Sequence, residues 1–380
     1  MALSAPRLRP APSIGAPQGR GEGIRLSTVL VDPALLPKAE IEACARRVIE
    51  RGLDALPEPQ GARALREAIA AQLAKGRIIA APDEVIVTTG SQQAIDLVAR
   101  ALEVRRVATE SPVYGHARML FEAAGVAVTA LPLDPFDGPD LDLWAARVAE
   151  ARPGLLYLQS RFQNPTGRTY TRAELERVLA IAEASGAGIL DDDWAADMLP
   201  HGAAHPTLRA LGGASVLYAG SFTKKLFPAL RVGFLVAPAA LVASLVGQKR
   251  LSSLSGVHLA EAIVAEYMQS GGYDAHLARL QPELAARRDA CVAALRRAMP
   301  AGARFVEPAG GPTLFLEVPP GTDLAALRAR LAARGVHVED PSPAEHGGGP
   351  RLRGFRVSYA FCPPADLERA IAIVAGELAR

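Results

Sequence analysis

Five short stretches carry residues whose types and spacing suit chemistry on one charged, aromatic ligand. The richest is Gly220-Ser221-Phe222-Thr223-Lys224-Lys225-Leu226-Phe227-Pro228-Ala229-Leu230-Arg231. A lysine set after a buried strand, among Phe222, Leu226 and Phe227, has its amine pKa lowered by desolvation, which imine formation with an aldehyde requires. Ser221 and Arg231 flank Lys224 as phosphate-type ligands. The ordinary alternative is a surface lysine, because buried unpaired lysines are rare.

The other four have the same double character. In Thr88-Thr89-Gly90-Ser91-Gln92-Gln93 a β-branched run passes through a glycine directly into an amphipathic pattern, so free backbone N–H groups of Ser91 and Gln92 form an anion seat; alternatively Ser91 is the N-cap of a plain strand-to-helix turn. Tyr114, in Ser111-Pro112-Val113-Tyr114, can stack on an aromatic ring or serve as packing. Asn164, in Gln163-Asn164-Pro165-Thr166-Gly167, can donate its amide to a phenolate oxygen or belong to an ordinary Asn-Pro turn. The run Asp191-Asp192-Asp193-Trp194 ends an apolar segment. Three adjacent acids repel one another, a cost offset when a cation such as a protonated ring nitrogen sits opposite. A solvated loop or a metal site is the alternative, although neighbouring acids point in different directions and no histidine is nearby in sequence. Taken together, an anion seat, an aromatic, an amide, an acid and a lysine with an arginine are the set that pyridoxal 5′-phosphate needs.

These stretches follow strand-like runs, where open α/β sheets bind ligands. Residues 85–89, 106–109, 126–131, 155–158, 188–190, 215–219 and 232–236 read as strands, and 41–52, 61–75, 91–103, 116–124, 171–184 and 239–247 as helices. The alternation predicts an α/β fold with a mostly parallel seven-stranded sheet covered by helices. A long helical stretch over 258–298, strands at 303–306, 313–318, 336–339 and 354–360, and helices at 323–334 and 365–379 predict a smaller α+β domain. The expected division is a disordered segment over 1–25, an N-terminal arm with part of the small domain over 26–60, a large domain over 61–270 and a small domain over 271–380. The run Glu345-His346-Gly347-Gly348-Gly349-Pro350 reads as a surface loop.

Composition narrows the function classes. The 380 residues carry 42 Lys and Arg against 40 Asp and Glu, a net charge of +2, too balanced to advertise a nucleic-acid or membrane partner. No apolar run reaches the length of a membrane span. The widely spaced Cys44, Cys291 and Cys362 fit neither a disulfide framework nor a zinc site, and read as free thiols in a reducing, cytoplasmic setting. No role is assigned to the scattered histidines.

The stretches TTGSQQAIDL, FQNPTG and SFTKKLFPALRVGF, in this order and at these separations, resemble the fold type I, class I and II aminotransferases. Within that group the sequence is most similar to the aminotransferase domains of MocR-type regulators and to the aminoadipate and kynurenine aminotransferases, from about residue 26 to the C-terminus. The resemblance implies that Lys224 forms the Schiff base with pyridoxal 5′-phosphate, that Ser91, Gln92, Ser221 and Arg231 hold its phosphate, that Tyr114 stacks on the ring and that Asn164 bonds the ring oxygen. Asp192 would face the ring nitrogen, with Asp191 as competitor. Arg356, in Phe355-Arg356-Val357-Ser358-Tyr359, would clamp a substrate α-carboxylate.

Three departures stand beside the matches. Leu56 occupies the position of a tyrosine that reaches the partner subunit's phosphate, Val29 that of a glycine near the substrate carboxylate, and Trp194 that of a tyrosine bonding the ring oxygen. Trp194 can donate an N–H there but cannot accept or lose a proton. The resemblance implies a homodimer and transamination between an α-amino acid and a 2-oxo acid. Two other outcomes stay open: elimination, cyclisation or oxidation of an amino acid on the same cofactor, and ligand sensing in the manner of the MocR-type regulators. Against the latter, only about 25 residues precede the homologous region, short of the roughly 50 a DNA-binding domain usually needs, and no basic helix-turn-helix pattern is present.

Overall fold

Short runs of Val, Ile and Leu bounded by turn residues become the strands of one central sheet. A computed structural model describes residues 23–53, 58–199, 205–341, 343–346 and 351–380. In chain order the strands are β1 (Ile24–Arg25), β2 (Val85–Thr88), β3 (Arg106–Ser111), β4 (Ala127–Asp134), β5 (Gly138–Pro139), β6 (Leu155–Leu158), β7 (Gly188–Asp193), β8 (Val216–Ser221), β9 (Gly233–Val236), β10 (Arg304–Phe305), β11 (Thr313–Glu317), β12 (Val336–His337) and β13 (Gly354–Ser358). The main sheet has the order β2-β9-β8-β7-β6-β3-β4-β5. Seven of its strands are those expected. The eighth, β5, is a two-residue addition antiparallel to β4.

Pairing is parallel from β4 through β3, β6 and β7 to β8, whereas β9 runs antiparallel to both β8 and β2. The strand order reverses between β3 and β6, which makes that junction the topological switch point. Strands β2, β3, β6, β7 and β8 all leave the sheet at the same edge, so the loops after them converge. On one face of the sheet Ile86, Tyr157, Leu190, Ala219 and Leu235 pack with helices Ser91–Ala101, Gly115–Ala123 and Ala239–Ser253. Ile189, Val216 and Leu156 face the opposite way and bury against helices Leu141–Ala151 and Arg172–Ser185. The second of these starts at a reciprocal cap, in which Thr171 Oγ1 accepts from the Glu174 amide at 3.2 Å and Glu174 Oε2 from the Thr171 amide at 2.7 Å.

A second core is built by Leu314, Leu316, Phe355 and Val357 of the sheet β10-β11-β13, together with Leu327, Leu331, Leu367 and Ile371 of two helices and Leu26 and Val31 of the N-terminal segment. That segment joins through parallel pairing of β1 with β12. Helix Gly272–Ala298 links the cores: Tyr273 and Leu277 pack beside the main sheet, and Leu284, Cys291 and Leu295 pack in the second core. All three cysteines are buried free thiols. Among the described residues no helix is long and apolar enough to cross a membrane.

Several boundaries differ from expectation. The stretch 258–298 is two helices, His258–Gln269 and Gly272–Ala298, because Gly271 takes a left-handed φ of 76° between them. Helices Leu141–Ala151 and Leu208–Gly212 were not anticipated; Asp140 and Thr207 cap them, accepting from the amides of Leu143 and Ala210. Strand β7 runs through all three aspartates rather than ending at 190. Glu345 and His346 of the expected surface loop are partly buried and end a helical turn over Pro343–His346, and the glycines after it lie outside the described residues, as do Leu56 and the first 22 residues.

The edge of the sheet that bears the converging loops is held by a backbone contact at Gly233. A Cβ there would lie 2.7 Å from Gly90 Cα and 2.8 Å from the Gly220 carbonyl oxygen. Gly233→Ala is therefore expected to destabilise the protein by about 1–3 kcal/mol, seen as a lower denaturant midpoint; an unchanged midpoint would show that β9 can shift without cost.

Candidate active site

The loops that leave the carboxyl edge assemble four of the five expected stretches around Lys224, with Asn164 joined through Arg356. Gly90, with φ 96°, is the N-cap of helix Ser91–Ala101. Ser91 is thus the first helical residue and not the cap. The helix opens towards Arg231, itself in the left-handed region at φ 51°, whose Nη2 donates to the Thr89 carbonyl at 3.1 Å. A Cβ on Gly90 would meet Arg231 Nη2 at 3.1 Å and Thr223 Oγ1 at 3.7 Å. Ser221 Oγ accepts from the Thr223 amide at 3.2 Å, and the buried Thr223 hydroxyl has no partner among the described residues. A guanidinium, two hydroxyls and a helix N-terminus thus border one small volume, which suits a phosphate. Tyr114 donates its hydroxyl to Gln92 Oε1 at 2.9 Å, tying the aromatic to this cradle.

Strand alternation sorts the three acids. Asp191 and Asp193 point to one face and Asp192 to the other. Asp191 accepts from the amides of Leu208 at 2.9 Å and Ser160 at 3.4 Å. Asp193 is paired with Arg161 and accepts from Tyr218 Oη at 2.7 Å. Asp192 Oδ2 accepts from Tyr157 Oη at 2.7 Å and Gln159 Nε2 at 2.9 Å, while Oδ1 is buried with no partner among the described residues. Burial pushes its carboxyl up to about 6, restrained by those two donors and by the Lys224 charge. Asp193 Oδ1 is likewise buried without a partner among the described residues, but on the other face of the strand; Asp192 is the acid of the run that carries its open oxygen on the face opposite Asp191 and Asp193 and is electrostatically coupled to Lys224.

The two adjacent lysines are separated in the same way. Lys225 is buried, with Nζ bonded to the Ala196 carbonyl and 3.5 Å from Asp197 Oδ2. Lys224 Nζ has no hydrogen-bond or ion-pair partner among the described residues and lies 5.9 Å from the centre of the Trp194 ring. Burial, then the positive charges of Arg231 and Arg356, lower its amine to about 8 against the opposing pull of Asp192.

Asn164 and Arg356 meet across the two cores. Arg356 Nη1 donates to Asn164 Oδ1 at 2.7 Å, which turns the Asn164 NH₂ away from Arg356 and leaves it as a donor. The same Nη1 donates to Glu345 Oε1 at 2.8 Å. Trp194 reaches the site with its ring only, since its indole N–H donates to the Phe162 carbonyl at 3.1 Å. Val29 is half-buried against the second core, with no described hydrogen bond to Lys224, Asn164 or Arg356. Sequence reasoning missed Thr223, Tyr157, Gln159 and Glu345. Thr223 sits one residue before the lysine and could have been found there, whereas the other three carry no local signal.

The orphaned Thr223 hydroxyl, the cradle closed over Gly90, the open Asp192 oxygen and the depressed Lys224 amine fit pyridoxal 5′-phosphate in donor set and charge. Residues 31–374 match the family described as aminotransferase class I and II. The chain belongs to that family, and its fold and cofactor are those of the fold type I, pyridoxal-phosphate-dependent aminotransferases. It is 33% identical to the 2-aminoadipate transaminase of Thermus thermophilus, over 86% of this chain and 83% of that one. It is 28% identical to the uncharacterized HTH-type transcriptional regulator YisV of Bacillus subtilis, over 97% and 76% of the two chains. The crystal structure of LysN, an α-aminoadipate aminotransferase of Thermus thermophilus, superposes with a TM-score of 0.85 at 29% identity, covering 94% of this chain and 92% of that one.

The amine value has a direct consequence. The rate at which the apoprotein takes up pyridoxal 5′-phosphate should rise with pH as Lys224 loses its proton, with a midpoint of about 8. Arg356→Gln removes one of the charges that lower it, so that midpoint should move to higher pH in stopped-flow absorbance. A midpoint unmoved by the substitution would sever Arg356 from the lysine electrostatically.

Proposed function

We propose that the protein transfers the amino group of an α-amino acid to a 2-oxo acid, with Lys224 carrying pyridoxal 5′-phosphate. The observation that carries this reading is the convergence, on one side of β7, of an open carboxylate oxygen and an unpaired amine of lowered basicity. Ser221, Thr223, Arg231 and the amides of Ser91 and Gln92 would hold the phosphate. Tyr114 would stack on the ring, Asn164 would donate its NH₂ to the ring oxygen and Asp192 would keep a proton on the ring nitrogen. When bound, the cofactor supplies the electron sink for a carbanion at the substrate α-carbon. Arg356 orients the substrate through its α-carboxylate, and Lys224, once free, takes the α-proton as general base. Tyr157 and Gln159 keep Asp192 ionised near neutral pH by donating to it, against the burial that favours its neutral form.

Incubation with amino acids one at a time is expected to release one equivalent of 2-oxo acid per site. Borohydride followed by peptide mapping should place the cofactor on Lys224, and Lys224→Ala should lose the label and lower turnover by about 10²–10⁴-fold. A retained label without oxo acid would instead favour elimination, cyclisation or oxidation.

The working unit we propose is a homodimer. Leu251 and Leu254, 86% and 73% exposed, project at the end of helix Ala239–Ser253, next to Ser253, whose Oγ accepts from Gln93 Nε2 at 3.2 Å in the helix that opens on the cradle. An apolar pair so exposed beside the site fits a surface covered by a second copy. Light scattering should give twice the chain mass for the parent protein and the single-chain mass for Leu251→Glu/Leu254→Glu; a monomeric parent would overturn this. The three buried free thiols support a reducing, cytoplasmic location.

A further inference from the structure

The guanidinium proposed to clamp the substrate is already engaged by a carboxylate of the protein. Arg356 Nη1 donates to Glu345 Oε1 at 2.8 Å, and both side chains are 13% exposed. A second acid, Glu339, stands 3.7 Å from Arg356 Nη2 with its side chain 44% exposed. Arg356 Nε is buried without a partner among the described residues. One edge of the guanidinium is therefore divided between Asn164 and Glu345.

The position of Glu345 is fixed from the backbone. Its carbonyl accepts from the Val113 amide at 2.7 Å, beside Tyr114, and the following carbonyl, of His346, accepts from Ser111 Oγ at 2.5 Å. The turn Pro343–His346 thus docks on the loop after β3, at the switch point of the main sheet. Neither of these backbone bonds involves the Glu345 side chain, so the docking of the turn does not depend on the pair with Arg356. A ligand carboxylate can replace Glu345 because it restores to Arg356 the same charge-assisted bonds that Glu345 gives up, so the exchange leaves no buried guanidinium unpaired.

We propose that Glu345 is a built-in competitor for the substrate α-carboxylate: it occupies Arg356 in the resting site, and a carboxylate ligand binds only by displacing it. The competition acts on carboxylate ligands alone, since a simple amine makes no demand on Arg356. Glu345 is a positioning residue that works through Arg356, and it sets how strongly the site discriminates between amino acids and amines. This inference rests on the role given to Arg356 under the proposed function.

The test uses the cofactor-loaded protein and two probes, 2-methylalanine, which has an α-carboxylate but no α-proton to lose, and methylamine, which has no carboxylate. Binding is followed by calorimetry and by the change in cofactor absorbance. If the engaged form outweighs the open one about ten to one, Glu345→Gln should tighten 2-methylalanine binding by about tenfold. Methylamine binding should stay the same, which a merely structural role for Glu345 would not produce. Arg356→Lys should weaken 2-methylalanine binding in either background. Equal 2-methylalanine affinity in the parent and Glu345→Gln, with the Arg356→Lys loss intact, overturns the competitor and leaves the clamp standing. Equal gains for both probes also overturn it. If Arg356→Lys changes nothing in either background, the clamp itself fails, and with it that part of the proposed function.

Discussion

Three consecutive carboxylates buried at the end of one strand are the constraint around which the site is organised. Each buried charge costs several kcal/mol unless it is paired or hydrogen-bonded. Strand alternation separates the acids: Asp191 takes backbone amides, Asp193 takes Arg161 and Tyr218, and Asp192 takes Tyr157 and Gln159 on the opposite face. On that opposite face, Asp192 is left with an unmatched buried oxygen. Asp191 and Asp193 anchor the surrounding loops on one face, where Asp193 Oδ1 is also left without a partner among the described residues, and Asp192 keeps on the Lys224 side a binding capacity that the fold itself does not consume. The same division recurs at Lys224 and Lys225, where one amine is spent on Ala196 and Asp197 and its neighbour is not.

The site also depends on agreement between two separately packed cores. Asn164 follows β6 of the main sheet, whereas Arg356 lies on β13 of the second sheet, and they meet at 2.7 Å. Helix Gly272–Ala298 buries residues in both cores, and Asp32 of the N-terminal segment accepts from Arg287 of that helix at 3.0 Å. Ser27 Oγ donates to the Arg356 carbonyl at 3.1 Å and accepts from the Glu339 amide at 2.9 Å. A segment remote in sequence thus steadies the strand that presents the guanidinium.

What was legible in the sequence had a local cause. The seven long strands and most helices follow from hydrophobic period and punctuation, and the residues at the strand ends were singled out because that edge is where an open α/β sheet binds ligands. The choice between Asp191 and Asp192 was open because it turns on where β7 ends and which face each residue takes. The break at Gly271 was missed because the helical period resumes directly after the Gly271-Gly272 pair. Trp194 carried an expectation based on its N–H, yet the donor is taken by Phe162, which no spacing reveals. Glu345 read as part of a Gly-rich surface loop because its partner, Arg356, is fixed by tertiary packing of the turn against β3.

The cradle at Gly90 also governs when the cofactor can bind. Its parts are supplied by the start of one helix and by a loop after β8, and the Arg231 to Thr89 bond that joins them spans 142 residues of chain. An unfolded polypeptide has no such seat, so pyridoxal 5′-phosphate binds the folded state almost exclusively. By mass action, free cofactor at about a hundred times its dissociation constant adds about 2.7 kcal/mol to the stability of the fold. The vitamin supply of the cell thereby becomes a determinant of how much of this polypeptide survives proteolysis, and not only of how much of it is active.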